Sequence, residues 1–255
     1  GMEVIFCGVG EAFDEDLANT SILVTAGDGD EGQRQVLLDC GFSAAHSFWR
    51  YAPDPLELDA VWISHHHGDH FFGLPLILLR SWEEGREKPL HLVGHHGIED
   101  LVTSSMDLAY PGFRQKLRFP LQYVDVAPGT SEAVAGFTWS FARNDHSTPC
   151  LSVRLDHVEG SVFYSGDGKP TSETLVLAMG CDLIIHEAFR VQGETAGHGS
   201  VEGCIRFALN AGARGLALVH VNREERSRHA KAVRDRLAHL EIRALLPEPG
   251  ETYEL

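Results

Sequence analysis

Side chains that could bind metal ions are concentrated in one short segment of the chain. After Ser64 the sequence continues as His65, His66, His67, Gly68, Asp69 and His70. Imidazole nitrogens suit zinc and neighbouring transition metals, and carboxylates add hard oxygen ligands. In a loop between a strand and a helix, one pair of histidines can point the same way while the next two ligands turn towards a neighbouring position. One segment of this kind can therefore serve two metal ions.

The elements around the segment predict that it lies at the end of a buried strand. Residues 58–64 form an apolar run typical of a buried strand, and residues 71–82 predict a mostly apolar helix. The plain alternative is a polar, His-rich surface loop that binds metal adventitiously. A buried strand before the loop and an apolar helix after it argue against that alternative, so we interpret the segment as a metal site.

Predicted strands and helices follow one another along the rest of the chain. Strands are predicted at 3–7, 21–25, 35–39, 90–94, 121–126, 137–142, 151–155, 162–165, 182–186, 215–220 and 242–246. Helices are predicted at 98–110, 172–179, 201–210 and 224–239. The turn-rich segment 27–32 and the short segment 156–161 each predict a hairpin. Strands with flanking helices in both halves favour two sheets packed face to face, with helices outside.

The composition indicates one globular domain over residues 1–255. The chain is 43% hydrophobic and 23% charged, which is ordinary for a packed domain. No apolar run approaches the roughly 20 residues of a membrane helix, and no basic region precedes the first strand. Five cysteines lie far apart without a C-x-x-C pair, which favours reduced, mostly buried thiols. We therefore expect a cytoplasmic protein that does not enter the membrane.

The charge of the chain limits its partners. A formal net charge of −16 repels nucleic acid and anionic membranes, unless positive charge is concentrated locally or supplied by metal ions. The basic run at 223–236 is interleaved with acidic residues at helical spacing. It therefore predicts a solvated helix face and not a nucleic-acid patch. A small-molecule substrate fits these features better than a nucleic acid.

The metal-binding segment resembles the H-x-H-x-D-H signature of the metallo-β-lactamase superfamily. Three later segments stand in that family's order. Residues 145–149 (DHSTP) look like the loop that carries a third histidine ligand. Residues 163–167 (FYSGD) look like the strand end with a bridging aspartate, and residues 218–220 (LVH) like the strand end with the last histidine. The resemblance covers nearly the whole chain and implies the α/β fold of that family, a four-layer α/β/β/α sandwich.

The resemblance implies seven ligands around two divalent metal ions. One ion would be held by His65, His67 and His146, the other by Asp69, His70 and His220, with Asp167 bridging the two. Two ions about 3.5–4 Å apart activate a water molecule and polarise a substrate oxygen. We expect zinc, with manganese or iron as alternatives, because histidine and carboxylate ligands accept all three metals.

Two further segments resemble ribonuclease Z and its phosphodiesterase relatives. They are residues 182–188 (DLIIHEA) and 197–200 (GHGS). In those relatives a histidine of the second segment pairs with the glutamate of the first and helps to protonate the leaving oxygen. The resemblance therefore implies that Glu187 orients His198 as a general acid. Asp69, besides binding metal, would orient the attacking water.

The sequence departs from ribonuclease Z at two places. That enzyme carries a long arm that grips tRNA between the third-histidine strand and the bridging-aspartate strand, whereas only residues 156–161 fill this interval here. The family's N-terminal G-T-x-x-x-x-P-x-x-R-N motif also lacks its Pro and Arg, although residues 8–20 keep its outline. These departures argue against tRNA as a partner and favour a small phosphodiester, as in relatives without the arm.

We therefore predict a two-metal hydrolase that cleaves a small phosphodiester. Within the same site, hydrolysis of a lactone, a thioester or a sulfate ester is the alternative, because the same activated water attacks carbonyl carbon. A metal-binding or carrier protein without catalysis is the alternative of another class. The sequence leaves the physiological substrate, the native metal and the oligomeric state open, a homodimer included.

A few residues near the motifs are weaker candidates. His66 falls in the variable position of the signature, so we do not expect it to bind metal. The other candidates for the rim of the site are His95, His96, Arg143, Lys169 and Arg190. Arginine and lysine could bind phosphate oxygens there, but on such loops they are more often solvated.

Overall fold

Seven strands form the first sheet of the computed structural model, which describes residues 1–255. They are β1 (Glu3–Gly8), β2 (Ser21–Gly27), β3 (Gln33–Leu38), β4 (Ala60–Ile63), β5 (Leu90–His95), β6 (Leu121–Val126) and β14 (Thr252–Glu254), in the spatial order β14-β1-β2-β3-β4-β5-β6. Pairing is antiparallel from β14 to β3 and parallel from β3 to β6. The carboxyl ends of β3 and β4 therefore lie at the same edge.

The second sheet also has seven strands. They are β7 (Ser131–Val134), β8 (Phe137–Arg143), β9 (Leu151–His157), β10 (Gly160–Tyr164), β11 (Leu183–Glu187), β12 (Gly215–Val219) and β13 (Arg243–Leu245), in the reverse spatial order. Pairing is antiparallel from β7 to β10 and parallel from β10 to β13. The hairpins predicted at 27–32 and 156–161 are confirmed by the β2–β3 and β9–β10 pairs.

Seven helices accompany the sheets. They are α1 (Ala44–Tyr51), α2 (Gly68–Phe71), α3 (Leu74–Glu83), α4 (Ile98–Ala109), α5 (Ser172–Ala178), α6 (Val201–Asn210) and α7 (Arg223–Ala238). One apolar cluster joins the first sheet to α1, α3 and α4, and another joins the second sheet to α6 and α7. The predicted four-layer α/β/β/α sandwich is confirmed.

The largest apolar cluster, of 27 buried residues, lies between the two sheets. Trp62 of β4 is fully buried and stacks on Phe141 of β8, with ring centroids 5.3 Å apart. Trp139 lies 6.2 Å from the same indole. Because alternate residues of a strand face the same side, these aromatic rings fill the space between the sheets.

The predicted helix at 71–82 corresponds to α3 and is wrong at its start, because Phe71 ends the separate short helix α2 and α3 begins only at Leu74. The chain turns at Gly73, where a Cβ atom would collide with the carbonyl oxygen of Gly41. The Gly73 amide donates to the carbonyl of Cys40 (3.0 Å), and Pro75 follows in the first turn of α3. This contact ties the metal-binding segment to the loop after β3. Four elements have no counterpart in the sequence prediction: α1, α2, β7 and β14.

The five cysteines are all free and buried, as predicted. No helix in the structure has both the length and the apolar composition that a membrane crossing requires.

Candidate metal centre

The predicted site residues meet at one edge of the two sheets. Residues 65–70 follow β4 in the first sheet, and the other candidates belong to connections of the second sheet. His146 follows β8, Asp167 follows β10, Glu187 ends β11, His198 precedes α6 and His220 follows β12. Loops at the carboxyl ends of parallel strands gather at one edge, which is why these distant segments converge.

The first group of potential ligands contains His65, His67, His146 and Asp167. Their ligand atoms all lie within 4.8 Å of one another, which is close enough to hold one metal ion. Asp167 Oδ2 lies 3.6 Å from His65 Nε2 and 3.9 Å from His146 Nε2. His146 Nε2 lies 3.5 Å from Nδ1 of His67.

The second group contains Asp69, His70, His220 and again Asp167, within the same distance limit. Asp69 Oδ2 lies 3.2 Å from His70 Nε2 and 3.1 Å from His220 Nε2. Asp167 Oδ2 lies 3.2 Å from His70 Nε2, and its Oδ1 lies 3.5 Å from His220 Nε2. Asp167 is thus the one residue that faces both groups.

Most of the ring nitrogens that point away from the centre are held by hydrogen bonds, whereas Nδ1 of His220 is buried without a partner. His146 Nδ1 donates to the carbonyl of Gly197 (2.7 Å), and His70 Nδ1 donates to Asp39 Oδ2 (2.7 Å). His67 Nε2 pairs with the Thr148 hydroxyl (3.1 Å). Such partners fix the tautomer and orientation of a metal-binding histidine. The opposite nitrogen of each ring is therefore directed at the shared centre.

Several atoms at the centre are buried without a hydrogen-bond partner. They include His65 Nε2 and Asp167 Oδ1. A buried polar atom without a partner costs free energy, on the order of 1–3 kcal/mol. Metal ions would satisfy these atoms, since imidazole and carboxylate are the ligands that zinc binds. The donor set therefore fits a metal centre.

The electrostatics of the centre balance buried imidazoles against buried carboxylates. Burial lowers the pKa of His65 well below its ordinary value, and the nearby His70 adds to the effect. Burial also opposes protonation of His70 and His220, but the Asp167 carboxylate outweighs it, raising the pKa of His70 well above its ordinary value and that of His220 to about 9. The pKa of Asp69 is lowered, because hydrogen bonds from His220 and His70 outweigh its burial. Metal binding would displace protons from these two histidines.

Glu187 and His198 form a hydrogen-bonded pair beside the ligands. Glu187 is fully buried, and its Oε1 accepts from His198 Nδ1 at 3.0 Å. The carboxylate also accepts from the amides of Gly168 (2.9 Å) and Phe189 (2.9 Å), so it cannot rotate freely. Burial opposes protonation of His198, but the Glu187 hydrogen bond outweighs it and raises the pKa of His198. The ring of His198 lies 5.2 Å from that of His146, which places it beside the first group of potential ligands.

Asp39 is a residue of the site that sequence reasoning missed. It follows β3, is fully buried, and accepts hydrogen bonds from the Ser64 amide (2.8 Å) and hydroxyl (2.7 Å). Its Oδ2 also accepts from His70 Nδ1 (2.7 Å) and from the Tyr164 hydroxyl (2.6 Å). An aspartate directly after a buried apolar strand was the available signal. Asp39 therefore positions the metal-binding segment.

Two residues of the site have backbone conformations that non-glycine residues rarely adopt. Asp39 has φ 62° and His220 has φ 57°. Such left-handed conformations cost free energy and persist only where the surroundings impose them. At His220 the amide donates to the carbonyl of Val9 (2.9 Å), which anchors the turn. The strain is located where two side chains must face the centre.

The weaker candidates lie around the rim and are mostly engaged elsewhere. His66, His96 and Arg143 are exposed, and His66 belongs to neither group of potential ligands. Lys169 pairs with Glu194 (3.3 Å), and Arg190 pairs with a carboxylate of α7 (3.3 Å). Four arginines of the basic run on α7 form ion pairs with acidic residues: Arg223, Arg226, Arg234 and Arg236. It therefore forms no continuous basic patch.

Comparison with solved structures finds the same architecture in a metallo-β-lactamase fold protein, a tRNase and a diphosphatase. The metallo-β-lactamase fold protein YhfI from Bacillus subtilis is 23% identical, with a TM-score of 0.75 over 100% of both chains. The short form of human tRNase Z is 20% identical, with a TM-score of 0.80 over 99% of this chain and 98% of that one. A diphosphatase from the PhnP family is 16% identical, with a TM-score of 0.76, and the match covers 100% and 98%.

Sequence comparison adds ribonuclease BN of Erwinia tasmaniensis, which is 26% identical in an alignment of 241 positions that covers 73% of this chain and 78% of that protein. Fold, ligand groups and relatives together define a metallo-β-lactamase-fold protein of the ribonuclease Z-like branch. Within this class, the chain belongs to the family described as Anti-Pycsar protein Apyc1, whose model matches residues 2–238.

Proposed function

We propose that this protein is a phosphodiesterase that hydrolyses small phosphodiesters with two divalent metal ions. The observation that carries the proposal is the pair Glu187–His198 beside the seven ligands, with His198 Nδ1 donating to Glu187 Oε1 at 3.0 Å. A group of metal ligands alone serves many hydrolytic reactions, and a carrier protein needs no acid beside its metal. An imidazole oriented by a buried carboxylate supplies the proton that an alkoxide leaving group requires.

Each residue of the centre has a distinct task in this reaction. When bound, the metal ions supply charge stabilisation and lower the pKa of water near the phosphorus atom. Oδ2 of Asp69 contacts His70 and His220. Its other oxygen, Oδ1, would accept a hydrogen bond from the attacking water. His198, held through Nδ1, has Nε2 available to protonate the leaving oxygen. Water thereby adds across one P–O bond, giving a monoester and an alcohol.

The connection between β9 and β10 supports a small substrate. It consists of Val158 and Glu159 only, so no arm projects at this point to hold tRNA. Relatives found by sequence comparison carry the names ribonuclease BN and ribonuclease Z, which describe enzymes that cleave RNA. For this chain, the short connection and a net charge of −16 leave little to bind a nucleic-acid backbone. We therefore do not extend tRNA processing to it.

Zinc is the metal that we propose for both positions. The ligands comprise five histidines and two aspartates in the two groups, and nitrogen-rich sets of this kind are typical of zinc. Manganese or iron would be accepted by the same atoms, so the metal present in the cell decides occupancy.

The test compares bond types on one metal-analysed sample. The protein would be assayed with bis(p-nitrophenyl) phosphate, a carboxyl ester, a lactone, a thioester and a sulfate ester, before and after removal of metal by a chelator. We expect metal-dependent turnover of the diester well above that of the others. The exposed His66→Ala is the matched control for His67→Ala, because only His67 belongs to a ligand group. Preferential turnover of the lactone or thioester would refute the proposal.

A further inference from the structure

A cavity of about 370 Å³, lined mainly by polar and charged residues, lies beside the proposed metal centre, between the loop after β10, α5 and α6. Its lining includes Lys169, Glu194, His198, Arg206, Phe207 and Asn210. Small-molecule sites are commonly concave pockets of this size with a few polar groups directed inwards. The volume is sufficient for one substituent of a small diester.

His198 forms the wall between this cavity and the metal centre. Its ring lines the cavity and also lies 5.2 Å from the ring of His146, a member of the first ligand group. In the proposed reaction, which this inference takes as its basis, His198 faces the oxygen of the leaving group. A diester with its phosphorus at the metal centre would therefore direct its leaving group past His198 into the cavity.

The charge of the cavity differs from that of the whole chain. The chain has a net charge of −16, yet the charged side chains of the lining, apart from His198, are two cations and one anion. Lys169 pairs with Glu194 at 3.3 Å. Arg206 is exposed and pairs with no carboxylate within 4.0 Å in the structure. Its guanidinium is thus free to bind a negatively charged ligand group.

The position of Arg206 on α6 suits this role. The helix begins at Val201 with Ser200 as its N-cap, whose hydroxyl accepts from the Gly203 amide at 3.1 Å. Gly203 and Arg206 are three residues apart, so they lie on the same face of the helix. A Cβ atom at Gly203 would lie 3.9 Å from Arg206 Nη2, so the missing side chain leaves room beside the guanidinium.

We propose that this cavity is the leaving-group subsite, and that Arg206 selects diesters whose leaving alcohol carries an anionic group, such as a carboxylate or a second phosphate. The metal centre would bind the phosphodiester group, whereas Arg206 would bind the anionic group on the leaving alcohol. Arg206 is a specificity residue in this scheme and takes no part in bond breaking.

The test uses two diesters with leaving groups of nearly equal size, methyl 4-carboxyphenyl phosphate and methyl 4-carbamoylphenyl phosphate. The kcat/KM ratio of the charged over the uncharged diester is the measured quantity. We expect Arg206→Ala to lower this ratio about tenfold, because the charged diester loses a charge-assisted hydrogen bond at an exposed site. Arg206→Lys should restore part of the ratio, because it keeps the charge. Arg228→Ala, which removes an exposed arginine of α7 outside the cavity, should leave the ratio unchanged.

An unchanged ratio in Arg206→Ala, with both diesters still hydrolysed, would overturn the subsite and leave the proposed function intact. An equal fall of the ratio in Arg228→Ala would also overturn it, because the effect would then come from general surface charge. Failure of the unmodified protein to hydrolyse either diester or bis(p-nitrophenyl) phosphate would overturn both proposals.

Discussion

Replacing Asp39 by asparagine should weaken metal binding without removing any metal ligand. Asp39 is fully buried and accepts four hydrogen bonds, one on Oδ1 from the Ser64 amide and three on Oδ2. Asparagine keeps the size but turns one oxygen into an NH₂ donor. With its oxygen in the Oδ2 position, the new NH₂ group would face the Ser64 amide, donor against donor. With the amide flipped, the NH₂ group would occupy the Oδ2 position. It could then no longer accept the hydrogen bonds from His70 Nδ1 and from the Ser64 and Tyr164 hydroxyls.

The expected magnitude follows from these contacts. One buried donor without a partner costs about 1–3 kcal/mol, and we expect the free energy of unfolding to fall by that amount. The hydrogen bond from His70 Nδ1 would also lose its charged acceptor, so the ring would be a weaker and less oriented ligand. Loss of such a partner typically reduces metal affinity about 10–100-fold.

Asp59→Asn is the matched control. Asp59 is also buried, accepts from the Gln35 amide (2.8 Å) and pairs with Lys88 (2.8 Å), but belongs to neither ligand group. Metal affinity would be measured by competition with a chromophoric chelator at about pH 8, where protons compete less for the ligands. Urea unfolding of metal-free protein gives the stability of each variant. Equal metal affinities for the two variants, at equal losses of stability, would show that Asp39 contributes to folding alone.

Three other predictions test the centre. Elemental analysis of metal-replete protein should give about two ions per chain, and fewer in His67→Ala or Asp167→Ala; one ion or none in the unmodified protein would contradict the two-metal proposal. His198→Ala should slow a diester with a poor alkoxide leaving group about 100-fold and one that releases p-nitrophenolate far less, with Glu187→Gln acting in the same direction more weakly, as steady-state kinetics would measure. Equal effects on both leaving groups, at intact metal content, would instead assign His198 to substrate positioning. A precursor tRNA at about 0.15 M salt should be cleaved far more slowly than a model diester in a gel assay; comparable rates would refute the argument from the short β9–β10 connection.

The fold was largely predictable because the chain alternates clearly between buried strands and amphipathic helices. Both hairpins and the four layers agree with the pattern. The division between α2 and α3 was not predictable, because it depends on Gly73 meeting the carbonyl of Gly41, which belongs to another strand's loop. The residues 71–82 alone show a continuous apolar pattern. A tertiary contact overrides it at one point.

The structure brings together all nine residues predicted for the site, although their roles stay proposals. Eight of them had a local signal, since each lies at or just after the end of an apolar strand, whereas His198 lies in the loop before α6. Asp39 had only half of that signal, an aspartate after an apolar strand with no recognisable partner nearby. Its partner Tyr164 lies 125 residues away in the sequence, on the opposite sheet. Arg206 had no signal, because an exposed arginine on a helix is ordinary until a cavity is seen beside it.

The geometry of Asp39 also explains how the two sheets act on one centre. Its carboxylate joins Ser64 and His70 of the first sheet's loop to Tyr164 at the end of β10. Asp167, which faces both ligand groups, follows that same strand three residues later. A movement of β10 relative to β4 would therefore change the distance between Asp167 and His70 unless Asp39 opposed it. Asp39 thus holds Asp167 and the potential ligands of the first sheet in register. Tyr164→Phe, which removes one of these bonds and keeps the ring, should consequently reduce metal affinity in the same direction as Asp39→Asn but by less.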